Sequence, residues 1–362
     1  MEKPVLSLII PTYNERENLP ILVKRIHEVL RDYCSYEIIV VDDNSPDETW
    51  KVAEELSVYY PVKVVKREGK LGLSSAVIEG FKHASGEFLG VMDADLQHPP
   101  EILPNLIEEA KNGKDIVVAS RYAKGGKIEN WGFKRKVVSK GARFLTKVLV
   151  PQARGIKDPL SGYFIIRRDV VEGVELNPVG YKILLEILVK GNYENVSEVP
   201  FTFGTRGMGK SKLNLGEYAN FLRHLYRLSE TVGEVMKLVR YMVISVLALF
   251  VNMFFFFILT NYSSLNYIYS SILSLEAMIL FSFALSEIWV LKGEQVKRPT
   301  NAVLRALKYN AFCFGGILIN IGVLCLFTNV FDVYYFVSNF FGSIGAVIWN
   351  YAMNIWLTWK TK

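Results

Sequence analysis

Up to Ser120 the chain alternates short, nearly unbroken apolar runs with longer stretches whose apolar residues recur every three or four positions. The runs are Leu6–Ile10, Glu37–Val41, Val62–Val65, Phe88–Met92 and Ile116–Ala119. Each has strand length and lacks the strict polar–apolar alternation of a half-exposed sheet, so both sheet faces are expected to be covered. Leu19, Leu22, Val23, Ile26, Val29 and Leu30 follow helical spacing behind Asn18, a residue suited to capping. Further helices are expected around 73–83 and 101–112. Ser45-Pro46-Asp47-Glu48 reads as a capping box with proline at the first helical position. Strand and helix in alternation predict an α/β domain with a mostly parallel, Rossmann-like sheet. Ligands then bind beyond the carboxyl ends of the strands.

From about Leu238 the pattern changes. Tyr241–Tyr262, Tyr267–Leu291, Tyr309–Val330 and Val333–Trp359 are long apolar stretches, each sufficient to cross a bilayer core. They predict four transmembrane helices. The loop after the second stretch holds Lys292, Lys297, Arg298, Arg305 and Lys308, and the C-terminus adds Lys360 and Lys362. The excess of basic residues assigns that loop and both termini to the cytoplasm. The apolar run Val5–Ile10 is too short for a signal peptide, so the N-terminal domain is expected on the same side, in a multi-pass membrane protein. Glu276, inside the second stretch, is expected to pair with Asn252, Asn310 or Asn320. Lys134–Leu149 and Asn214–Val235 interleave basic with apolar and aromatic residues, and predict two amphipathic helices at the membrane interface. The expected division is 1–212 for the α/β domain, 213–237 for an interfacial helix and 238–362 for the membrane domain.

Composition narrows the function. A hydrophobic fraction of 51% and a positive mean hydropathy suit a membrane chain. The net charge of +6 favours anionic lipid or phosphorylated substrates. No helix-turn-helix, RNA-recognition or zinc-finger pattern accompanies it, so no nucleic-acid partner is expected, and nothing requires a protein partner. Cys34, Cys313 and Cys325 form no CxxC pair, which argues against a disulfide framework or zinc site. The four histidines show no metal-ligand spacing; His27 and His83 are expected on exposed helix faces.

Candidate chemistry gathers after the strands. Pro11 to Glu15 follow the first, Asp42-Asp43 the second, Gly69-Lys70-Leu71-Gly72 the third and Asp93-Ala94-Asp95 the next. The glycine fingerprint of a dinucleotide fold is missing. In an extended segment Asp93 and Asp95 point the same way and can share a hard cation, Mg²⁺ or Mn²⁺, with Gln97 as a further oxygen donor. Such a metal neutralises a departing diphosphate. A carboxylate at Asp43 can accept hydrogen bonds from a base or ribose. Tyr13 either stacks on a base or packs as a loop tyrosine.

Together, Pro11-Thr12-Tyr13-Asn14-Glu15, Val41-Asp42-Asp43-Asn44-Ser45, Asp93-Ala94-Asp95-Leu96-Gln97-His98-Pro99-Pro100, Ser120-Arg121-Tyr122 and Asp158-Pro159-Leu160-Ser161-Gly162-Tyr163 resemble the inverting family-two glycosyltransferases of GT-A fold. The long string from Asp93 to Pro100 is similar to that of dolichyl-phosphate mannose synthases and related polyprenyl-phosphate glycosyltransferases. The tail resembles the GtrA-like membrane domain. The Q-x-x-R-W motif of processive synthases is missing, which implies transfer of a single sugar. The resemblance implies GDP-mannose as donor, dolichyl or another polyprenyl phosphate as acceptor, and a bilayer to hold the lipid. Pro11, Tyr13, Glu15, Asp42, Asp43, Lys70, Asp93, Ala94 and Asp95 are then expected to hold the nucleotide, and Asp93, Asp95 and Gln97 the metal.

A lipid phosphate is already an anion, so the reaction needs cations more than a general base. Arg121, Arg135 and Ser139 are expected to grip the lipid phosphate. Arg206 and Lys210, in a glycine-rich loop, are expected to close over the site, with Arg206 assisting the leaving diphosphate. Asp95, Arg121 and Arg206 form the expected catalytic set. Two readings compete: a polyprenyl-phosphate glucosyltransferase using UDP-glucose, and a non-catalytic lipid-linked sugar carrier or flippase.

Overall fold

The computed structural model describes residues 3–205, 215–263, 267–290 and 301–358. The chain divides into two compact units, Met1–Val232 and Gly233–Lys362. In the first unit the strands are β1 (Leu6–Thr12), β2 (Tyr36–Asp42), β3 (Val62–Lys66), β4 (Phe88–Val91), β5 (Ile116–Ser120), β6 (Lys127–Ile128), β7 (Phe164–Arg167), β8 (Val196–Pro200) and β9 (Thr202–Phe203). Its helices are α1 (Asn18–Leu30), α2 (Thr49–Leu56), α3 (Leu73–His83), α4 (Leu103–Lys111), α5 (Phe133–Leu149), α6 (Ile183–Lys190) and α7 (Leu215–Thr231).

Among the described residues seven strands form one sheet in the order β3-β2-β1-β4-β7-β5-β8, and β6 pairs with β9. All five expected apolar runs are strands. The sheet is parallel except for β7, which runs antiparallel to both β4 and β5. Both faces are covered, as the unbroken apolar runs require. Leu8, Ile10, Ile38 and Val40 pack beneath α1 and α4 on one face. Ile9, Ile39 and Val41 pack with Val77 of α3 and Leu184 of α6 on the other.

Three local expectations fail. Asn18 does not cap α1; it is the first helical residue, and its Nδ2 donates to Glu15 at 2.7 Å. The capping box at Ser45–Glu48 does not form either. The Ser45 backbone N–H and hydroxyl both donate to Asp42, and α2 starts only at Thr49, after Glu48 in a left-handed conformation. A buried carboxylate competing for the serine outweighs the local signal. His27 is half-buried rather than exposed, with Nδ1 2.7 Å from the Tyr36 hydroxyl.

Helices α5 and α7 carry both covered and exposed apolar residues. Phe221, Leu225 and Leu228 bury one face of α7 against Val150, Leu160 and Leu185. Tyr218, Leu222 and Tyr226 of α7, and Phe133, Val137 and Val138 of α5, are exposed. Beneath α7 lies a buried charge cluster. His224 Nε2 is 2.9 Å from Glu186 Oε2, with Lys190 and Arg227 also on that carboxylate.

The second unit contains α8 (Glu234–Tyr262), α9 (Tyr267–Leu285), α10 (Ala302–Asn329) and α11 (Tyr335–Met353). Each matches one expected apolar stretch. Two segments, Glu234–Leu259 and Val303–Asn329, are long and apolar enough to cross a membrane. Glu276 pairs with Asn310 at 2.7 and 2.8 Å, one of the partners anticipated from sequence. Arg305 and Glu287 form an ion pair at 2.8 Å, and the Tyr351 hydroxyl donates to buried Glu234 at 2.8 Å.

Candidate active site

The loops after β1 and β2 are tied together by carboxylates. Asp42 is fully buried, and it accepts from the Thr12 hydroxyl at 2.8 Å, the Ser45 N–H at 2.8 Å and the Ser45 hydroxyl at 2.6 Å. Asp43 forms a buried ion pair with Arg67 and accepts the N–H groups of Leu71 at 3.1 Å and Gly72 at 2.8 Å. Gly72 has φ +98°, a conformation that strains any residue with a Cβ, so this loop needs glycine there. The loop carries Lys70, whose ammonium sits 4.3 Å above the Tyr13 ring. Pro11 and Glu15 are buried, and the Glu15 N–H donates to Thr49. The two adjacent aspartates thus fix two loops on which Tyr13 and Lys70 are the more accessible groups.

Asp93, Ala94 and Asp95 follow β4 at the centre of the sheet. The Asp93 side chain is 33% exposed. Asp95 is nearly buried and accepts the Gln97 N–H at 3.2 Å. The turn is held by a left-handed Leu96 and by Gln97, whose Nε2 donates to the Gly204 carbonyl at 2.9 Å while the Gly204 N–H returns a bond to the Gln97 carbonyl at 3.1 Å. Of the two Gln97 amide atoms, only the oxygen has the chemistry to meet a cation. A Cβ added at Gly162 would lie 3.2 Å from Asp93 Oδ2, so the glycine gives that carboxylate its room. Among the described residues no group of three or more acidic, histidine or cysteine side chains converges. Two carboxylates and an amide oxygen form an all-oxygen set that fits Mg²⁺ or Mn²⁺ when substrate phosphates and water complete the shell.

His98 supports this turn from below. It is fully buried, stacked on Tyr163 at 5.1 Å and edge-on to Phe201 and Phe203. Burial pushes its imidazole down to about 4, so Nδ1 stays unprotonated and accepts the Asp93 N–H at 3.2 Å.

Opposite Asp93 lies a group of cations. Arg121, just past β5, is gripped by fully buried Asp158, Nε to Oδ2 at 2.7 Å and Nη2 to Oδ1 at 2.8 Å. Burial opposes its charge, but the Asp158 hydrogen bonds outweigh that and hold its pKa above the usual value. The guanidinium lies 5.6 Å from the Trp131 ring, which also receives Arg135 at 4.2 Å. One turn along α5 from Arg135, the Ser139 hydroxyl is 2.8 Å from that of Tyr122. The three residues expected to meet a lipid phosphate therefore share one neighbourhood. Arg206 and Lys210 fall outside the described residues.

Two members of the site carried no sequence assignment. Asp158 stood inside a motif without a role, and Lys182 stood in no motif. Lys182 Nζ donates to the Leu160 carbonyl at 2.6 Å. Burial and the nearby Arg121 charge push its ammonium down to about 8, against the pull of Asp93 and Asp158. A lysine directly before the apolar run Ile183–Leu185 was the available signal.

Comparison with known proteins identifies the family. Residues 7–174 match the glycosyl transferase family 2 profile, and residues 240–359 match the GtrA/DPMS transmembrane domain. A dolichol-phosphate mannosyltransferase of Pyrococcus furiosus is 47% identical over 356 residues, 98% of this chain and 99% of its own. A polyprenol monophosphomannose synthase of Mycolicibacterium smegmatis is 40% identical over 57% of this chain and 80% of its own. A solved structure of glucosyl-3-phosphoglycerate synthase from Mycobacterium tuberculosis is similar at 20% identity, covering 63% of this chain and 79% of that one, with TM-score 0.48. With a catalytic unit of GT-A fold and a relative matched nearly end to end, the chain belongs to the dolichol-phosphate mannosyltransferase family of glycosyltransferases.

Proposed function

We propose that this chain transfers mannose from GDP-mannose to the phosphate of dolichol or another polyprenol, with inversion, at the cytoplasmic face of a membrane. The observation that carries the reading is Asp93, past β4, within electrostatic reach of Arg121, past β5, with Arg135 on the Trp131 ring that Arg121 also meets. It is a site for two anions that must meet. Family membership sets the carrier reading aside.

An oxygen of the lipid phosphate attacks the anomeric carbon and forms the new bond. The bond from that carbon to the donor diphosphate breaks, and the electron pair leaves with GDP. The attacking oxygen is already deprotonated, so the protein's task is to hold two anions together. Mg²⁺ or Mn²⁺, held by Asp93, Asp95 and Gln97, would supply the charge that offsets the departing diphosphate. Tyr13 and Lys70 line the nucleotide side. Asp42 and Asp43 act by fixing the loops that carry them, since both oxygens of each already have partners, and Glu15 accepts from Asn18. Arg121 and Arg135 bind the acceptor phosphate, with Ser139 and Tyr122 beside them. The exposed apolar residues of α5 and α7 fit a place at the membrane interface, and α8 to α11 fit four spans.

The test offers GDP-mannose and, separately, UDP-glucose to the detergent-solubilised full chain with polyprenyl phosphate. Mannosyl lipid is expected from GDP-mannose, and EDTA is expected to abolish it. Transfer from UDP-glucose alone would overturn the donor assignment.

A further inference from the structure

The segment Asp158–Tyr163 governs more of the site than its Asp158 contact with Arg121. Its Gly162 leaves room for the Asp93 carboxylate, and its Leu160 carbonyl receives the Lys182 ammonium at 2.6 Å. One stretch of backbone therefore sets three charges that come from three different parts of the chain. Lys182 has Arg121, Asp93, Asp158 and Arg135 as its electrostatic neighbours. It lies where the metal carboxylate and the arginine pair meet.

A charge count shows what is missing without it. Asp158 takes two of the three guanidinium nitrogens of Arg121 and cancels its charge. Arg135 adds a single positive charge. A phosphate monoester brings roughly −1.5 to −2 at neutral pH, and the donor diphosphate stands close by. Lys182 spends one of its three N–H groups on Leu160 and retains two for phosphate oxygens. Its side chain is already partly buried, so a bond to an anion costs less further desolvation and is screened less by water.

We propose that Lys182 is a catalytic residue of the transfer. In the reacting complex its ammonium bonds an oxygen of the acceptor phosphate, on the side facing Asp93, and holds that phosphate against the repulsion of the donor diphosphate. This rests on the reading of the acceptor as a polyprenyl phosphate.

The experiment compares Lys182→Gln and Lys182→Arg with the wild-type full chain in detergent. Glutamine can still donate to the Leu160 carbonyl but carries no charge; arginine keeps the charge. We measure kcat/KM for polyprenyl phosphate at saturating GDP-mannose, GDP-mannose binding by calorimetry, and Tm. Lys182→Gln is expected to lower the acceptor kcat/KM roughly a hundredfold, as for truncation of a desolvated charge pair. Donor affinity is expected to stay within about twofold and Lys182→Arg within about tenfold of wild type. An unchanged acceptor kcat/KM in Lys182→Gln overturns the inference. So does a parallel loss of donor affinity, Tm and transfer in both variants, because that marks a structural lysine. A wild-type chain that transfers nothing to polyprenyl phosphate overturns the acceptor reading and this inference with it, whereas the Lys182→Gln result bears on the inference alone.

Discussion

Two pairs of carboxylates stand at the ends of two strands of the same sheet, and they behave differently. Asp42 and Asp43 follow β2; Asp93 and Asp95 follow β4. The first pair is adjacent in sequence, so its members point opposite ways. One is taken by Thr12 and Ser45, the other by Arg67 and the backbone of the Lys70 loop. The second pair is spaced by Ala94, and Asp93 remains partly open opposite a cluster of cations. A carboxylate at a strand end is thus either a tie or a ligand. What separates the two is how far each side chain is open to solvent, 6% for Asp43 against 33% for Asp93.

The sharpest way to break this comparison is to neutralise one member of each pair. Asp93→Asn is expected to lower turnover by roughly 10²–10³, in line with removal of one group stabilising transition-state charge, while Tm barely moves. A variant that melts much earlier yet keeps its activity would make Asp93 a tie as well. Asp42→Ala should do the reverse. It leaves the buried Thr12 and Ser45 groups without an acceptor, and is expected to cost about 2–3 kcal/mol of stability, read as a lower Tm. Loss of donor binding at an unchanged Tm would assign Asp42 to the ligand.

Acid titration gives a smaller effect. Burial raises the carboxyl pKa of Glu186, but the hydrogen bonds from His224, Lys190 and the Asn177 N–H outweigh it and bring it to about 2. Glu37 reaches about 2 in the same way through Lys63, Ser7 and Ser85. Both are depressed in the folded state. Their stabilisation is therefore complete above the ordinary value of 4.5 and is lost as pH falls from there toward 2. Tm measured across that window should fall with pH, and the fall should be shallower in Glu186→Gln. An identical slope in the variant would show that this carboxylate is not consumed after all.

The strands were legible because burial on both faces leaves a continuous apolar run, and that signal survives without knowledge of neighbours. The direction of β7 was not legible. Four residues, Phe164–Arg167, carry no mark of antiparallel pairing, which depends on the strands beside them. The D-x-D turn was legible through its spacing. The fate of Asp42 was not, because it depends on Thr12, thirty positions away. Ser45 misled for the same reason: its capping signal was real but a buried carboxylate took the hydroxyl. Lys182 had only a weak local signature, its place before an apolar run, since its importance comes from where Leu160 puts it. In the second unit the Glu276–Asn310 pair was legible because a carboxylate in a long apolar stretch needs a polar partner and the sequence offers few.

The antiparallel strand also sets an order of assembly. Strand β4 pairs only with β1 and β7, and β5 only with β7 and β8, among the described residues. Without β7 the sheet is two separate pieces, β3-β2-β1-β4 and β5-β8. During synthesis Asp93 and Asp95 leave the ribosome well before Phe164 does. A nascent chain that ends before Asp158 has the acidic turn but neither the glycine wall beside it nor the buried aspartate that grips Arg121. The domain cannot become a working site piecemeal from its N-terminus. The strand that joins the two halves of the sheet also delivers the loop that completes the chemistry, so an unfinished chain is also an inactive one.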